Sequence, residues 1–127
     1  MKDLTLTIKI HKPAQEIFDF ALNPENTPKW VDSIVSETTN EWPPKIGTIY
    51  RNQDPGGTWR EFNLTEFASG KRFTLSKKDG YNVRYTFTPV SDRETELEYY
   101  EWMDDGELDD VLTIETLEKL KRIIEEL

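Results

Sequence analysis

Residues 59–102, WREFNLTEFASGKRFTLSKKDGYNVRYTFTPVSDRETELEYYEW, decide the fold. Apolar and polar side chains alternate through this stretch, and ASGK, KDG and SDR interrupt the alternation. Each interruption is far shorter than the dozen residues that a parallel crossover needs, so successive strands pair antiparallel. Several interruptions carry glycine where a tight hairpin needs positive φ. The same pattern extends upstream through WPPKIG and DPGG, predicting strands over roughly 33–41, 47–53, 58–68, 72–77, 82–89 and 94–102.

Upstream of this meander, Leu4, Leu6, Ile8 and Ile10 alternate with Thr5, Thr7 and Lys9, which marks a half-buried first strand. Pro13 suits the start of a helix, and Ala14, Ile17, Phe18 and Ala21 recur at helical spacing over 13–22. Asn23-Pro24 stops that helix and can cap a second, over 24–30, ending near Trp30. Downstream, Thr113, Leu117, Leu120, Ile124 and Leu127 recur at three-four spacing, with Ile114 and Ile123 widening the stripe. A long helix from about 109 is predicted, with Asp109 or Asp110 as its cap. Glu125 and Glu126 sit at the wrong end of its dipole, so its last turn is expected to fray.

The order is therefore strand, two short helices, six-stranded meander, long terminal helix. This is an α+β domain, expected to be single over 1–127. A seven-stranded antiparallel sheet must curl, and its apolar face needs a cover. The terminal helix has the length and the stripe to provide it. A curved sheet gripping one helix leaves a groove that side chains need not fill.

The segments IHKPAQEIFDFALNPENTPKW (10–30), PPKIGTIYR (43–51), REFNLTEFASGKRF (60–73) and VRYTFTPVSDRETELEY (83–99) follow in an order and spacing that carry a resemblance. The chain resembles the SRPBCC, or START-like, superfamily, and within it the polyketide cyclase/dehydrase-like branch. The resemblance implies a helix-grip fold, with a hydrophobic cavity between the curved sheet and the C-terminal helix. Members of that superfamily bind lipids, hormones or polyketides, a minority catalyse cyclisation or dehydration, and one branch activates a chaperone. The resemblance specifies a fold and a cavity, and no reaction.

Composition narrows the partners. With 25 acids against 16 bases the net charge is −9, which opposes nucleic acid and anionic membrane surfaces. Ten of the acids fall in 101–127, against Lys119, Lys121 and Arg122. No cysteine is present, so disulfides and thiolate metal sites are excluded. His11 is the single histidine and has no neighbours suited to a zinc site or a Ser-His relay. DDGELDD (104–110) lacks the alternating acids and distal Glu of a calcium loop, and no glycine-rich phosphate cradle occurs. No cofactor and no metal are expected. No apolar run approaches a spanning length, so a cytoplasmic protein without membrane insertion is expected.

If the apolar rows face inward, Tyr50, Phe62, Leu64, Phe73, Leu75, Val83, Tyr85, Phe87, Leu97 and Tyr99 line the groove, with Leu117 and Leu120 opposite. Ordinary core packing accounts for most of these, while the excess of aromatic rings points to a cavity as well. Period two places Arg60 on the face of Phe62 and Leu64, and Glu101 on the face of Leu97 and Tyr99. Antiparallel pairing brings Arg60, Glu101 and the start of the terminal helix into one neighbourhood, as a polar anchor for a ligand carboxylate or hydroxyl. Otherwise Arg60 is a rim ion pair, or snorkels towards the acids of 104–110. A bulge at Tyr99-Tyr100 would turn Glu101 outward. Trp30 is read as a structural plug or a gate where the helical pair closes the gap between the first two strands. Trp42, Trp59 and Trp102 lie near strand ends, where exposure is ordinary.

Three functions fit this pattern. One is a non-catalytic carrier or sensor of a small apolar molecule such as a lipid, a polyketide or an aromatic compound. Another is a cyclase or dehydratase using Glu101, Glu61 or a cavity tyrosine as acid or base. A third is an interaction module of the chaperone-activator kind, with a protein partner. Cavity size separates the third from the others, and an isolated carboxylate pointing into the cavity separates the first two.

Overall fold

The computed structural model describes all residues, Met1–Leu127. Seven strands form one antiparallel sheet: β1 (Asp3–Ile10), β2 (Ser36–Thr39), β3 (Ile49–Gln53), β4 (Trp59–Ala68), β5 (Arg72–Ser76), β6 (Tyr81–Ser91) and β7 (Glu94–Met103). Their spatial order is β1-β7-β6-β5-β4-β3-β2, so the first two strands are the opposite edges. The helices α1 (Ala14–Leu22) and α2 (Thr27–Trp30) span from one edge to the other, and α3 (Ile114–Glu125) follows the last strand. Hairpin geometry fits the turn residues, with Gly57 at φ 90° in DPGG and Gly80 at φ 96° in KDG.

Register decides which side chains look inward. Leu97, Tyr99 and Glu101 of β7 stand opposite Phe87, Tyr85 and Val83 of β6. Phe73 and Leu75 of β5 extend the same rows, as do Leu64 of β4 and Tyr50 of β3 beside Phe62. The pairing of β7 with both neighbours runs unbroken through Tyr99-Tyr100, so Glu101 stays on the inner face. Irregularities fall elsewhere, between Leu64 and Glu66 and between Pro89 and Ser91. The first of these changes the parity of β4, so that Phe67 joins the inner face together with Leu64.

Three helix ends differ from the sequence expectation. The second helix begins at Thr27, after a turn in which Asn23 Oδ1 accepts from the Glu25 amide at 3.0 Å. The terminal helix begins at Ile114 with Thr113 as N-cap, four or more residues beyond the two aspartates expected to cap it. Residues 107–113 instead run extended or in turns across one end of the groove. The final turn holds because Glu125 accepts from Lys121 Nζ at 2.7 Å and from the His11 amide at 2.8 Å. That carboxylate is thereby tied to a cation and to the end of β1, which offsets its unfavourable place on the helix dipole.

The core divides the groove into two halves. In one half Phe18 of α1 packs against Phe67, Phe73 and Phe87 at centroid distances of 5.9, 5.6 and 5.5 Å. Leu64, Leu97, Leu117, Leu120 and Ile124 are completely buried with them. Tyr50 ties this assembly to the sheet, its hydroxyl donating to the Leu22 carbonyl at 2.8 Å.

Candidate functional site

The other half of the groove is hollow. A cavity of about 790 Å³ lies between the sheet, α2, the start of α3 and the segment 107–113, open beside the β3–β4 turn at Asp54–Gly56. Its size falls within the range of small-molecule sites, and its walls join a cluster of aromatic rings to a rim and end rich in charged and polar residues. Along the floor, Trp30 meets Tyr85 edge-on at 6.3 Å, and Tyr85 meets Tyr99 edge-on at 5.3 Å. Phe73 stacks on Tyr85 at 4.7 Å, and Phe62 meets Tyr81 at 6.2 Å.

Of the residues expected to line the groove, Trp30, Tyr50, Arg60, Phe62, Phe73, Leu75, Val83, Tyr85, Tyr99 and Glu101 border this cavity. Leu64, Phe87, Leu97, Leu117 and Leu120 do not; they belong to the closed core. The reason is Phe18, which fills the half of the groove in front of Phe87. Arg60 stands at the mouth, exposed, and its guanidinium donates to Asp54 at 2.9 Å. It is a rim ion pair, and its partner is the β3–β4 turn, not the acids of 104–110. Glu61 faces outward and pairs with Arg51 at 3.3 Å.

Glu101 is the polar centre of the cavity. It is 1% exposed, and its Oε2 accepts from the Tyr81 hydroxyl at 2.9 Å and from the Tyr99 hydroxyl. Its Oε1 is buried with no hydrogen-bond partner. The Trp30 indole Nε1 is the other buried side-chain polar atom without a partner, and Trp30 borders the same cavity. Leaving a buried donor or acceptor unpaired costs about 1–3 kcal/mol, and more for a charged group. Both atoms belong to residues that border the cavity, Trp30 from α2 and Glu101 from β7.

Several lining residues escaped the sequence reading. Tyr81 lies one residue before the expected start of its strand, yet shares parity with Val83 and Tyr85. Glu37 on β2 stands opposite Asn52 of β3 and accepts from Thr27 Oγ1 at 2.6 Å and Asn52 Nδ2 at 3.3 Å. Desolvation raises the Glu37 carboxyl above its ordinary range, against the lowering effect of these two donors. Burial also raises Tyr81, and the nearby Glu101 adds to that shift. Tyr85 and Tyr99 are raised well above the ordinary phenol value, first by burial and then by Tyr81. All three phenols therefore stay protonated, as donors, across the physiological range.

A model of the family described as polyketide cyclase / dehydrase and lipid transport matches residues 1–126. The chain belongs to that family. Solved structures share its fold. XoxI from Bacillus cereus superimposes with a TM-score of 0.74 at 15% identity, over 98% of this chain and 96% of that one. A START superfamily protein from Mycobacterium smegmatis gives 0.70 at 17% identity, over 99% and 96%. EF2215 from Enterococcus faecalis, a conserved protein of unknown function, gives 0.74 at 14% identity, over 97% and 71%. No curated relative matches the chain. At these identities the structural likeness establishes the helix-grip fold. The chain has no helix long and apolar enough to cross a membrane.

Proposed function

We propose that this member of the family binds a small, largely apolar molecule bearing at least one hydrogen-bonding group, and carries or senses it. The observation that supports this reading is the aromatic cavity of about 790 Å³ whose wall keeps Glu101 Oε1 and Trp30 Nε1 buried and unpaired. Aromatic walls supply non-directional affinity, and the two polar atoms orient the ligand. A cavity of this volume is not needed by an interaction module that works through its surface. A naphthalene-based fluorophore is expected to bind the folded protein with a blue-shifted emission. Leu75→Trp, which builds a large side chain into the cavity wall, is expected to abolish that binding while circular dichroism stays unchanged. Binding equal in both proteins would defeat this reading.

Glu101 also favours a second reading, an acid–base enzyme. A buried carboxylate with one unpaired oxygen, flanked by protonated phenols, can take a proton while a phenol donates to a developing oxyanion. The two readings part on the fate of the ligand. A carrier releases its captured molecule unchanged, whereas an enzyme changes the mass or ring content of that molecule, and Glu101→Gln stops the change. Mass spectrometry of a molecule co-purified with the protein, before and after prolonged incubation, distinguishes them.

A further inference from the structure

The chemistry of the cavity narrows its ligand, on the footing of the binding reading above. Eight acidic and two basic residues border it. Both bases are already paired with carboxylates, Arg60 with Asp54 at 2.9 Å and Lys77 with Asp79 at 3.2 Å. Glu101 has no cationic partner; phenol hydroxyls donate to Oε2, and Oε1 is buried without a hydrogen-bond partner from the protein. We infer that the molecule held here carries a protonated amine, seated on Glu101 Oε1 beside the Tyr81 and Tyr99 phenols.

Charge balance, wall chemistry and the acids at one end converge on a cation. A ligand carboxylate would enter an acidic cavity with no free base to receive it, and like charges brought together out of water repel strongly. A neutral hydroxyl would satisfy one lone pair of Oε1 and leave the charge of a carboxylate without a counter-ion. An ammonium supplies both the donor and the charge. The walls suit it too, because the Lys77 ammonium already rests 5.8 Å from the Phe62 ring and 5.9 Å from the Tyr81 ring. Finally, Asp109 and Asp110 border the cavity from the segment that crosses its end and add negative potential there, whereas Glu107 beside them is paired with the N-terminal ammonium. The ligand class is thus a small amphipathic amine, with an aromatic or aliphatic body against Tyr85, Phe73 and Leu75.

The test uses three probes with one apolar body: 2-(1-naphthyl)ethylamine, 2-(1-naphthyl)ethanol and 1-naphthylacetate, titrated calorimetrically into the full chain. The amine is expected to bind about tenfold or more tightly than the alcohol, with the carboxylate weakest. Glu101→Gln is expected to bring amine and alcohol together while the alcohol's own affinity changes little. In the unmodified protein, nuclear Overhauser contacts are expected from the aminomethylene protons to the Tyr81 and Tyr99 rings, a readout that does not depend on the variant folding. Alcohol binding as tightly as amine, or an amine preference that survives Glu101→Gln, overturns the inference and leaves the binding reading standing. If none of the three binds, both fall.

Discussion

Two leucines on opposite sides of the groove provide a direct test of its hollow half. Leu120 of α3 is completely buried among packed side chains, whereas Leu75 of β5 is partly buried and borders the cavity. Truncating Leu120 to Ala removes apolar transfer energy and leaves a new void, which together cost about 2–5 kcal/mol. Truncating Leu75 enlarges a space that already exists. The void term largely vanishes and the transfer term shrinks with partial burial, so the expected cost is about 1 kcal/mol. Urea unfolding at neutral pH measures both, with the slope m serving as a check that only native stability has changed. The difference between the variants, expected at about 1.5 kcal/mol or more, is the informative quantity because the residue type is the same. Equal costs would mean that the wall around Leu75 is packed in solution, and the cavity would have no place in any account of function.

Other outcomes follow from titration and the rim. Burial raises Glu37, so the folded state holds its proton more tightly than the unfolded chain does. The resulting stability is present below the ordinary carboxyl range and is lost as pH rises through the raised value. The stability of the protein relative to Glu37→Gln should therefore fall as pH rises above the ordinary carboxyl range, and a pH-independent difference in denaturant midpoints refutes this. All five tyrosines are raised, first by burial, so phenolate absorbance at pH 10 should be well under half its final value until the protein unfolds. A smooth titration centred on 10 in folded protein contradicts it. Arg60→Ala should cost at most about 1 kcal/mol in the same urea assay, because the exposed guanidinium pairs with a turn aspartate at the solvent-accessible rim. A larger loss would mean that Arg60 has a buried role at the groove.

What was legible in the chain depended on whether apolar residues reported the inner face. From β4 to β7 they do, and parity with Leu97 and Tyr99, four and two residues earlier, pointed Glu101 inward, while a bulge at Tyr99-Tyr100 stayed open until the unbroken pairing of β7 closed it. On β2 they do not. Ser36, Glu37, Thr38 and Thr39 carry no apolar marker, so only pairing with β3, known from coordinates, turns Glu37 towards the groove. The start of α3 was obscured for a different reason. Asp109 and Asp110 are good capping residues, but they border the cavity end, and the less acidic Thr113 takes the cap. The division of the groove was also hidden. Phe18 reads as one more apolar position of a short helix, and nothing in local spacing says that its ring reaches across to Phe67, Phe73 and Phe87.

That division arranges polarity along the strands. Moving from the α1 end to the mouth, the inner face of β7 reads Leu97, Tyr99, Glu101, and that of β6 reads Phe87, Tyr85, Val83, Tyr81. On β3 Tyr50 gives way to Asn52, and across from Asn52 stands Glu37. Rows made only of Leu and Phe would close on the helices by collapse, as they do around Phe18. A buried carboxylate and several phenols resist that collapse, because a purely apolar lining around Glu101 would strip it of the Tyr81 and Tyr99 donors that its burial requires. On the amine-binding proposal, the groups that keep the polar end hollow are the same ones that select the ligand. Replacing Glu101 and Tyr81 together with Leu and Phe should remove both properties at once, raising stability while ending the binding of an amine probe. A double variant that gains no stability, or still prefers the amine, would break the link between the shape of the groove and its chemistry.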